Sequence, residues 1–268
     1  MMPMPWDLTA VQWKIKRWAF RGIPVTVVAP SPWMADLVLR SPIMSGAMVE
    51  CVPNPLDTAV FAPRDRRAVR VRLGLPLSAK VVFYIGKPEP GSVFSYEGRV
   101  PLLLETLRLV RVDDPDLARN MQLLIVGGMG EELIRSSGYQ GVAIGSLNDE
   151  SEMADCLSAA DVMINTTQYD NLPGVVQEAM SSGLAVVASR VGGLPNMIDN
   201  GVSGILVDHT SPRAFADAVQ MVLTDTDLRN RLGSQARVVA IERYDFGRVA
   251  ADMISAYERS RETRADIA

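Results

Sequence analysis

The chain is poor in the residues that most often do chemistry by themselves. It has one histidine, His209, and two cysteines, Cys51 and Cys156, in 268 residues. A single histidine cannot build a multi-histidine metal site. Two cysteines, each among apolar neighbours, suggest neither a disulfide framework nor a thiolate cluster, and no Ser/His/Asp or Cys/His triad stands out. Long apolar runs are also missing. Runs such as Val81–Ile85 and Leu123–Val126 fall far short of the roughly 20 residues a membrane span needs. The first residues hold prolines and Asp7 rather than a basic stretch before an apolar one, so no secretory leader is expected. The simple expectation is a reducing, cytoplasmic setting. Positive charge is not in excess: 27 Lys and Arg stand against 31 Asp and Glu, a net charge of −4. That argues against a nucleic-acid partner. It leaves room for a phosphorylated small ligand, which backbone amides and one or two cations can hold.

What is present is a regular alternation. Short apolar runs are expected as strands near 81–85, 121–126, 141–144, 161–164, 185–189 and 204–207. Segments with helical spacing lie between and after them, near 99–111, 129–136, 149–159, 173–182, 193–198, 211–223, 226–240 and 246–259. Near-continuous apolar strands between helices predict a parallel sheet covered on both faces. The fold class is therefore α/β, a Rossmann-like doubly wound sheet. Residues 1–52 differ: a helix near 9–20, a strand near 25–29, a helix near 31–40 and a strand near 48–52. This is about one and a half βα units, the expected remnant of a second Rossmann-like domain. Pro53-Asn54-Pro55-Leu56-Asp57 reads as a hinge into a domain spanning 53–268. In the first helix Lys14, Arg17 and Arg21 share a face opposite apolar residues. Two readings follow: a helix lying on anionic lipid, or an ordinary amphipathic helix packed on its own domain. The second is the expectation.

The densest constellation runs from Asp161 to Gly193. A strand at Asp161–Ile164 leads into the polar loop Asn165–Asn171. Pro173 suits the first turn of the next helix, Gly174 permits close approach to the backbone, and Glu178 falls in the second turn. Gly183 ends that helix. Ligands of open parallel sheets bind beyond the C-terminal ends of the strands, and a helix N-terminus favours an anion such as a diphosphate. Asp170 and Glu178 can accept hydrogen bonds from a sugar and from a ribose diol. Spacing alone leaves a second possibility, acidic residues that merely satisfy the helix dipole.

These residues, with Val191-Gly192-Gly193-Leu194-Pro195 and Gly201–Gly204, resemble the signature of group-1 glycosyltransferases (glycosyltransferase family 4, GT-B architecture). The likeness extends to the linker Val52–Pro63, to Gly86-Lys87, to the Gly-rich turn Gly127-Gly128, to Gly145-Ser146-Leu147 and to closing helices with Tyr257. It covers about residues 25–258. The resemblance implies a retaining glycosyltransferase, of hexosyltransferase type, that moves a sugar from a nucleotide-diphosphate sugar to a polysaccharide or lipid-linked acceptor. It implies catalytic roles for Asp170 and Glu178, with Glu178 holding the ribose. It implies donor binding by Gly86, Lys87, Arg99, Gly127, Gly128, Asn171, Leu172, Pro173 and Gly174. No metal and no cofactor beyond the donor substrate are implied. Three departures stand out. Asp170 replaces the usual Glu. Glu97-Gly98 stands where the family has a phosphate-binding Lys before Gly, with Arg99 adjacent as a substitute. Most of the acceptor-side domain, with its catalytic His, has no counterpart.

These departures keep a second reading open, a non-catalytic nucleotide-sugar-binding or interaction module from a split or decayed enzyme. A sugar-nucleotide epimerase of similar architecture is a third. A homo- or hetero-oligomer covering the truncated first domain is expected, and peripheral contact with the inner membrane face stays open through the N-terminal helix. His209 reads as part of a capping turn with Ser211 as N-cap. Asp225-Thr226-Asp227, an Asp-x-Asp sequence, reads as a helix cap rather than a metal site. Asp113-Asp114-Pro115-Asp116 reads as a polar turn.

Overall fold

The computed structural model describes residues 8–44, 46–86 and 99–265. The first unit holds α1 (Leu8–Ala19), β1 (Thr26–Ala29), α2 (Pro32–Leu39) and β2 (Met48–Cys51). β1 and β2 pair in parallel as a two-stranded sheet. The larger unit then runs α3 (Arg66–Arg72), β3 (Lys80–Ile85), α4 (Arg99–Asp113), α5 (Pro115–Arg119), β4 (Met121–Val126), α6 (Gly130–Ser137) and β5 (Gln140–Ile144). It continues α7 (Glu150–Ala159), β6 (Val162–Asn165), α8 (Gly174–Ser181), β7 (Ala185–Ser189), α9 (Leu194–Met197) and β8 (Ile205–Val207). It closes with α10 (Pro212–Thr224), α11 (Thr226–Tyr244) and α12 (Phe246–Ala265).

Six strands form one sheet in the order β5-β4-β3-β6-β7-β8, with every pairing parallel. The chain winds outward twice from the centre, so the order reverses between β3 and β6. The apolar strands bury both faces, as their composition dictates. Val81 and Phe83 of β3 point into one core while Val82 and Tyr84 point into the other. On β7, Val186 and Ala188 likewise oppose Ala185 and Val187. This is the two-residue period of a strand doubled onto two apolar layers. The expected doubly wound sheet is therefore present.

Two elements escaped the sequence reading. The Arg-rich α3 carries little apolar signal, yet Asp65 caps it by accepting from Arg67 N and Ala68 N. The Asp113–Asp116 stretch is not a turn: Asp114 caps the five-residue α5 by accepting from Leu117 N at 2.8 Å. The expected cap at Ser211 is formed, accepting from Ala214 N, and of Asp225 and Thr226, either of which was expected to cap the next helix, Asp225 does so by accepting from Leu228 N.

The linker after β2 is pinned to the larger unit. Leu56 N donates to Tyr244 O at 2.7 Å, and Thr58 Oγ1 donates to Asp245 Oδ2 at 2.6 Å. From there α12 crosses back to the first unit. Its Val249 and Ala256 bury Val52, and Arg259 binds Glu50 through both carboxylate oxygens. Tyr257 is exposed. The expectation for α1 fails: none of its residues is buried. Trp13, Ile15 and Trp18 are all exposed, and Arg17 stacks over the Trp13 ring. Trp13, Arg17 and Trp18 stand across an open cavity from Pro42, Ile43 and Met44 rather than packing on them.

Candidate donor site at the C-terminal ends of the strands

The loop after β6 is built from its own polar side chains. Asn165 Oδ1 accepts from Thr167 N at 3.1 Å. The Thr166 hydroxyl donates to Arg99 O at 3.0 Å and lies 3.1 Å from the Tyr84 hydroxyl. Tyr84 comes from β3 and Thr166 follows β6, so Arg99, at the start of α4, sits where the strand order reverses. That is the crevice where open α/β sheets take ligands. Burial raises the Tyr84 hydroxyl pKa, against a smaller opposing pull from Thr166 and Arg99.

Beyond Thr167 the loop is held from outside by glycines. Gly193 N donates to Asp170 O at 3.0 Å. A Cβ on Gly192 would lie 1.8 Å from Asp170 O, and one on Gly193 would lie 1.8 Å from Asn171 O. Gly192 also has φ +54°. The Gly-Gly pair after β7 therefore exists to let this loop lie flat on the turn. Leu172 turns its side chain into the core, which leaves its backbone facing the crevice. Pro173 does not begin the helix as expected; it is the residue before it, with φ −62° and ψ 117°.

α8 differs from its neighbours at the same end of the sheet. α6 has Glu131 and Glu132 in its first turn, and α7 has an Asp149 cap followed by Glu150 and Glu152. Those helix dipoles are already answered. α8 has no side-chain cap and no acid in its first turn. Among the described residues, the amides of Gly174 and Val175 find no acceptor, while those of Val176 and Gln177 close on Pro173 O. An uncapped, acid-free N-terminus is a seat for an anion.

Glu178 lies one turn further on. The far face of α8 is tied down: Gln177 donates to Asn54 O at 3.1 Å and Ser181 donates to Phe61 O at 2.6 Å. Glu178 is thereby turned to the crevice, with Oε1 3.7 Å from where a Gly174 Cβ would stand. No hydrogen bond reaches its carboxylate among the described residues. Burial, and secondarily the charge of Glu150, pushes its pKa up from 4.5 to about 7. A half-buried carboxylate without a donor calls for a ligand that brings one.

The other expected site residues fall around this centre. Gly86 is buried at the end of β3, where a Cβ would come within 2.9 Å of Ile125 Cγ2. Gly127 takes φ +115° at the end of β4, and Gly128 beside it is exposed. Lys87, Glu97 and Gly98 lie outside the described residues. His209 is half-buried and belongs to the turn before α10. The Cys156 thiol is buried and pushed up to about 12 by burial and by nearby Asp155 and Glu152, which suits packing rather than nucleophilic chemistry.

The sequence reading missed the first unit's part in this loop. Ser31 caps α2 by accepting from Met34 N, and its hydroxyl donates to Asn171 Oδ1 in a short hydrogen bond. Trp33 meets Tyr169 edge-to-face at 5.2 Å. Trp33 N also donates to Asn196 Oδ1 at 3.1 Å. Ser31-Pro32 gave a visible helix-start signal, but its partner lies 140 residues away, which no local pattern reports.

A family model described as glycosyl transferases group 1 matches residues 79–225, more than half of the chain. The chain belongs to this family. The D-inositol 3-phosphate glycosyltransferase of Corynebacterium glutamicum (strain R) is 32% identical over 222 residues, covering 78% of this chain and 51% of that relative. This member of the family spans about half the length of the curated relatives it matches. Among solved structures, sucrose-phosphate synthase from Thermosynechococcus elongatus superposes with a TM-score of 0.76 at 23% identity, covering 97% of this chain and 65% of that one. Anabaena HepE in complex with UDP-glucose superposes at 0.69 with 19% identity, covering 97% and 70%. These superpositions establish the GT-B arrangement of the fold.

Proposed function

We propose that this chain is the donor-binding half of a retaining glycosyltransferase that moves a sugar from a nucleoside-diphosphate sugar to a polysaccharide or lipid-linked acceptor. The observation that carries the reading is α8: an uncapped, acid-free N-terminus beside a half-buried carboxylate that receives no hydrogen bond among the described residues. The family match supports the reaction class. The UDP-glucose held by HepE supports the kind of donor.

Each described residue then has a role. The amides of Gly174 and Val175 bind the diphosphate, and Arg99 adds positive charge where the strand order reverses. Together they stabilise charge on the departing nucleoside diphosphate. Glu178 accepts hydrogen bonds from the ribose diol and is ionised when it does so. Asp170, fixed through its backbone by Gly193, orients the sugar from the other side of the loop. Gly174 keeps the approach open. Lys87 belongs to the same proposal as a second cation for the diphosphate. We place the reaction in the cytoplasm, a reading supported by the unpaired Cys51 and Cys156. Among the described residues no helix is long and apolar enough to cross a membrane. The fully exposed amphipathic α1 supports peripheral contact with the inner membrane face.

The test is a calorimetric titration with UDP, GDP and ADP, repeated on Glu178→Ala. Saturable binding of one nucleotide, lost in the variant, is the expected result. No binding of any of them at millimolar concentration sinks the proposal.

A further inference from the structure

The opposite end of the sheet holds a second cluster of charge that the donor site does not use. Asp161, just before β6, is buried. It accepts from Arg70 Nη2 at 2.8 Å, Arg66 Nη1 at 3.1 Å and Val81 N at 2.7 Å. Arg229 Nε approaches it only to 3.7 Å and makes no hydrogen bond. Arg229 is itself buried, at 8% exposure. Its remaining nitrogens meet the carbonyls of Val222 and Leu223 and the Thr226 hydroxyl. Arg237 also bonds carbonyls alone, those of Thr58, Phe61 and Ser181. One carboxylate therefore stands against three guanidiniums, those of Arg66, Arg70 and Arg229, with Arg237 on the wall of the same cavity. Arg66, Arg229 and Arg237, together with Asp161 itself, line a cavity of about 460 Å³.

A buried guanidinium such as Arg229 is costly unless an anion answers it, whereas Arg66 reaches solvent from the mouth of the cavity with 44% of its side chain exposed. The Arg66 pKa is lowered chiefly by burial, against the raising effect of Asp161, with Arg70 and Arg229 adding smaller lowering contributions. Guanidiniums present planar pairs of donors that match an oxyanion. Asn230 and Ser234 line the same cavity from exposed positions on α11.

We propose that this cavity, walled by Arg66, Arg229 and Arg237 at the N-terminal ends of β6 and β7, binds a phosphate-type anion. The site is separate from the donor crevice. β6 has four residues, which at about 3.3 Å each puts roughly 13 Å of strand between the two. It does not depend on the reading given for α8.

The test is NMR titration of the Arg Nε–H resonances with inorganic phosphate, with chloride at matched ionic strength as the control. Arg229 Nε–H is expected to shift saturably with phosphate and not with chloride. Glu178→Ala should leave the titration unchanged, which separates this site from the donor crevice. Arg66→Gln and, independently, Ser234→Asp should each weaken binding about tenfold, one by removing a charge-assisted bond and one by adding a repelling carboxylate. Ser234 is on the helix surface, so its variant keeps the fold. Glycerol 3-phosphate provides a second arm. An ester that binds at least as tightly marks the anion as one end of a larger ligand, and phosphate binding alone marks the free ion. An equal response to chloride, no response to phosphate, or binding unchanged in both variants overturns the proposal.

Discussion

Two carboxylates at opposite ends of the same strand region have opposite fates. Asp161, at the foot of β6, is buried with an arginine on either side and a backbone amide on one oxygen. Glu178, on the helix that follows the top of β6, is half-buried beside another acid, and burial has pushed its carboxyl up to about 7. Protein groups satisfy the first. The second is left waiting. A fold that pairs one acid so thoroughly and, among the described residues, leaves the other unpaired has placed that carboxylate's unmet demand where a ligand enters.

Removing the paired carboxylate should cost most. Asp161→Ala leaves Arg70 buried without its counter-charge, and a loss of about 3–5 kcal/mol is expected from urea denaturation. A loss under about 1 kcal/mol would mean that the network is ornamental. Changing the unsatisfied end should do the reverse. The folded-state pKa of Glu178 lies above its ordinary 4.5, so between pH 4.5 and 7 the folded chain holds the extra proton. Stability therefore falls as pH rises through that window, and the deficit is complete above it. Glu178→Gln removes the deficit and is expected to stabilise the chain at pH 8 by on the order of 2–3 kcal/mol, with little effect at pH 4. The same change should weaken nucleotide binding. A variant less stable than the parent at pH 8 would show that Glu178 has a protein partner after all.

The remaining predictions sharpen the contrast with smaller effects. Gly174 has open space around it apart from Glu178 Oε1 at 3.7 Å. Gly174→Val should therefore change stability by less than about 1 kcal/mol, yet block the crevice and weaken nucleotide binding by at least about tenfold. Equal affinity in calorimetry would remove the donor from this end of α8. Smallest is Trp33→Ala. It loses one edge-to-face pair with Tyr169, worth about 0.5–1.5 kcal/mol. Faster proteolysis within the first unit, with the larger unit unaffected, is the expected sign.

The same contrast explains what could be read without coordinates. The large sheet was legible because each strand is a short, nearly continuous apolar run, such as Val81–Tyr84, set between helices with their own caps. The loop from Asn165 to Gly174 was legible as a site because proline, glycine and acids cluster where a parallel sheet takes ligands. What stayed hidden was tertiary. Nothing near Ser31 in sequence announces Asn171, and nothing near Arg99 announces Tyr84. α3 was missed because seven residues containing four arginines show no apolar stripe, and it turned out to carry half of the Asp161 network. The Gly192-Gly193 pair was noticed as a motif, but its reason is a pair of carbonyls that would lie 1.8 Å from any Cβ placed there, which only packing reveals. α1 was read as a packed helix because its apolar side looked ordinary. Packing needs an opposite face as well as an apolar side.

The central claim is that Glu178 is an ionisable group left for the donor. Selective ¹³C labelling of glutamate side chains, with a pH titration by NMR in the absence and presence of UDP, tests it directly. The account predicts one carboxyl titrating near 7 in the free chain, absent from Glu178→Gln, and moving down toward the ordinary carboxylate range when UDP is bound. A Glu178 carboxyl that titrates in the ordinary range and is indifferent to UDP would contradict it.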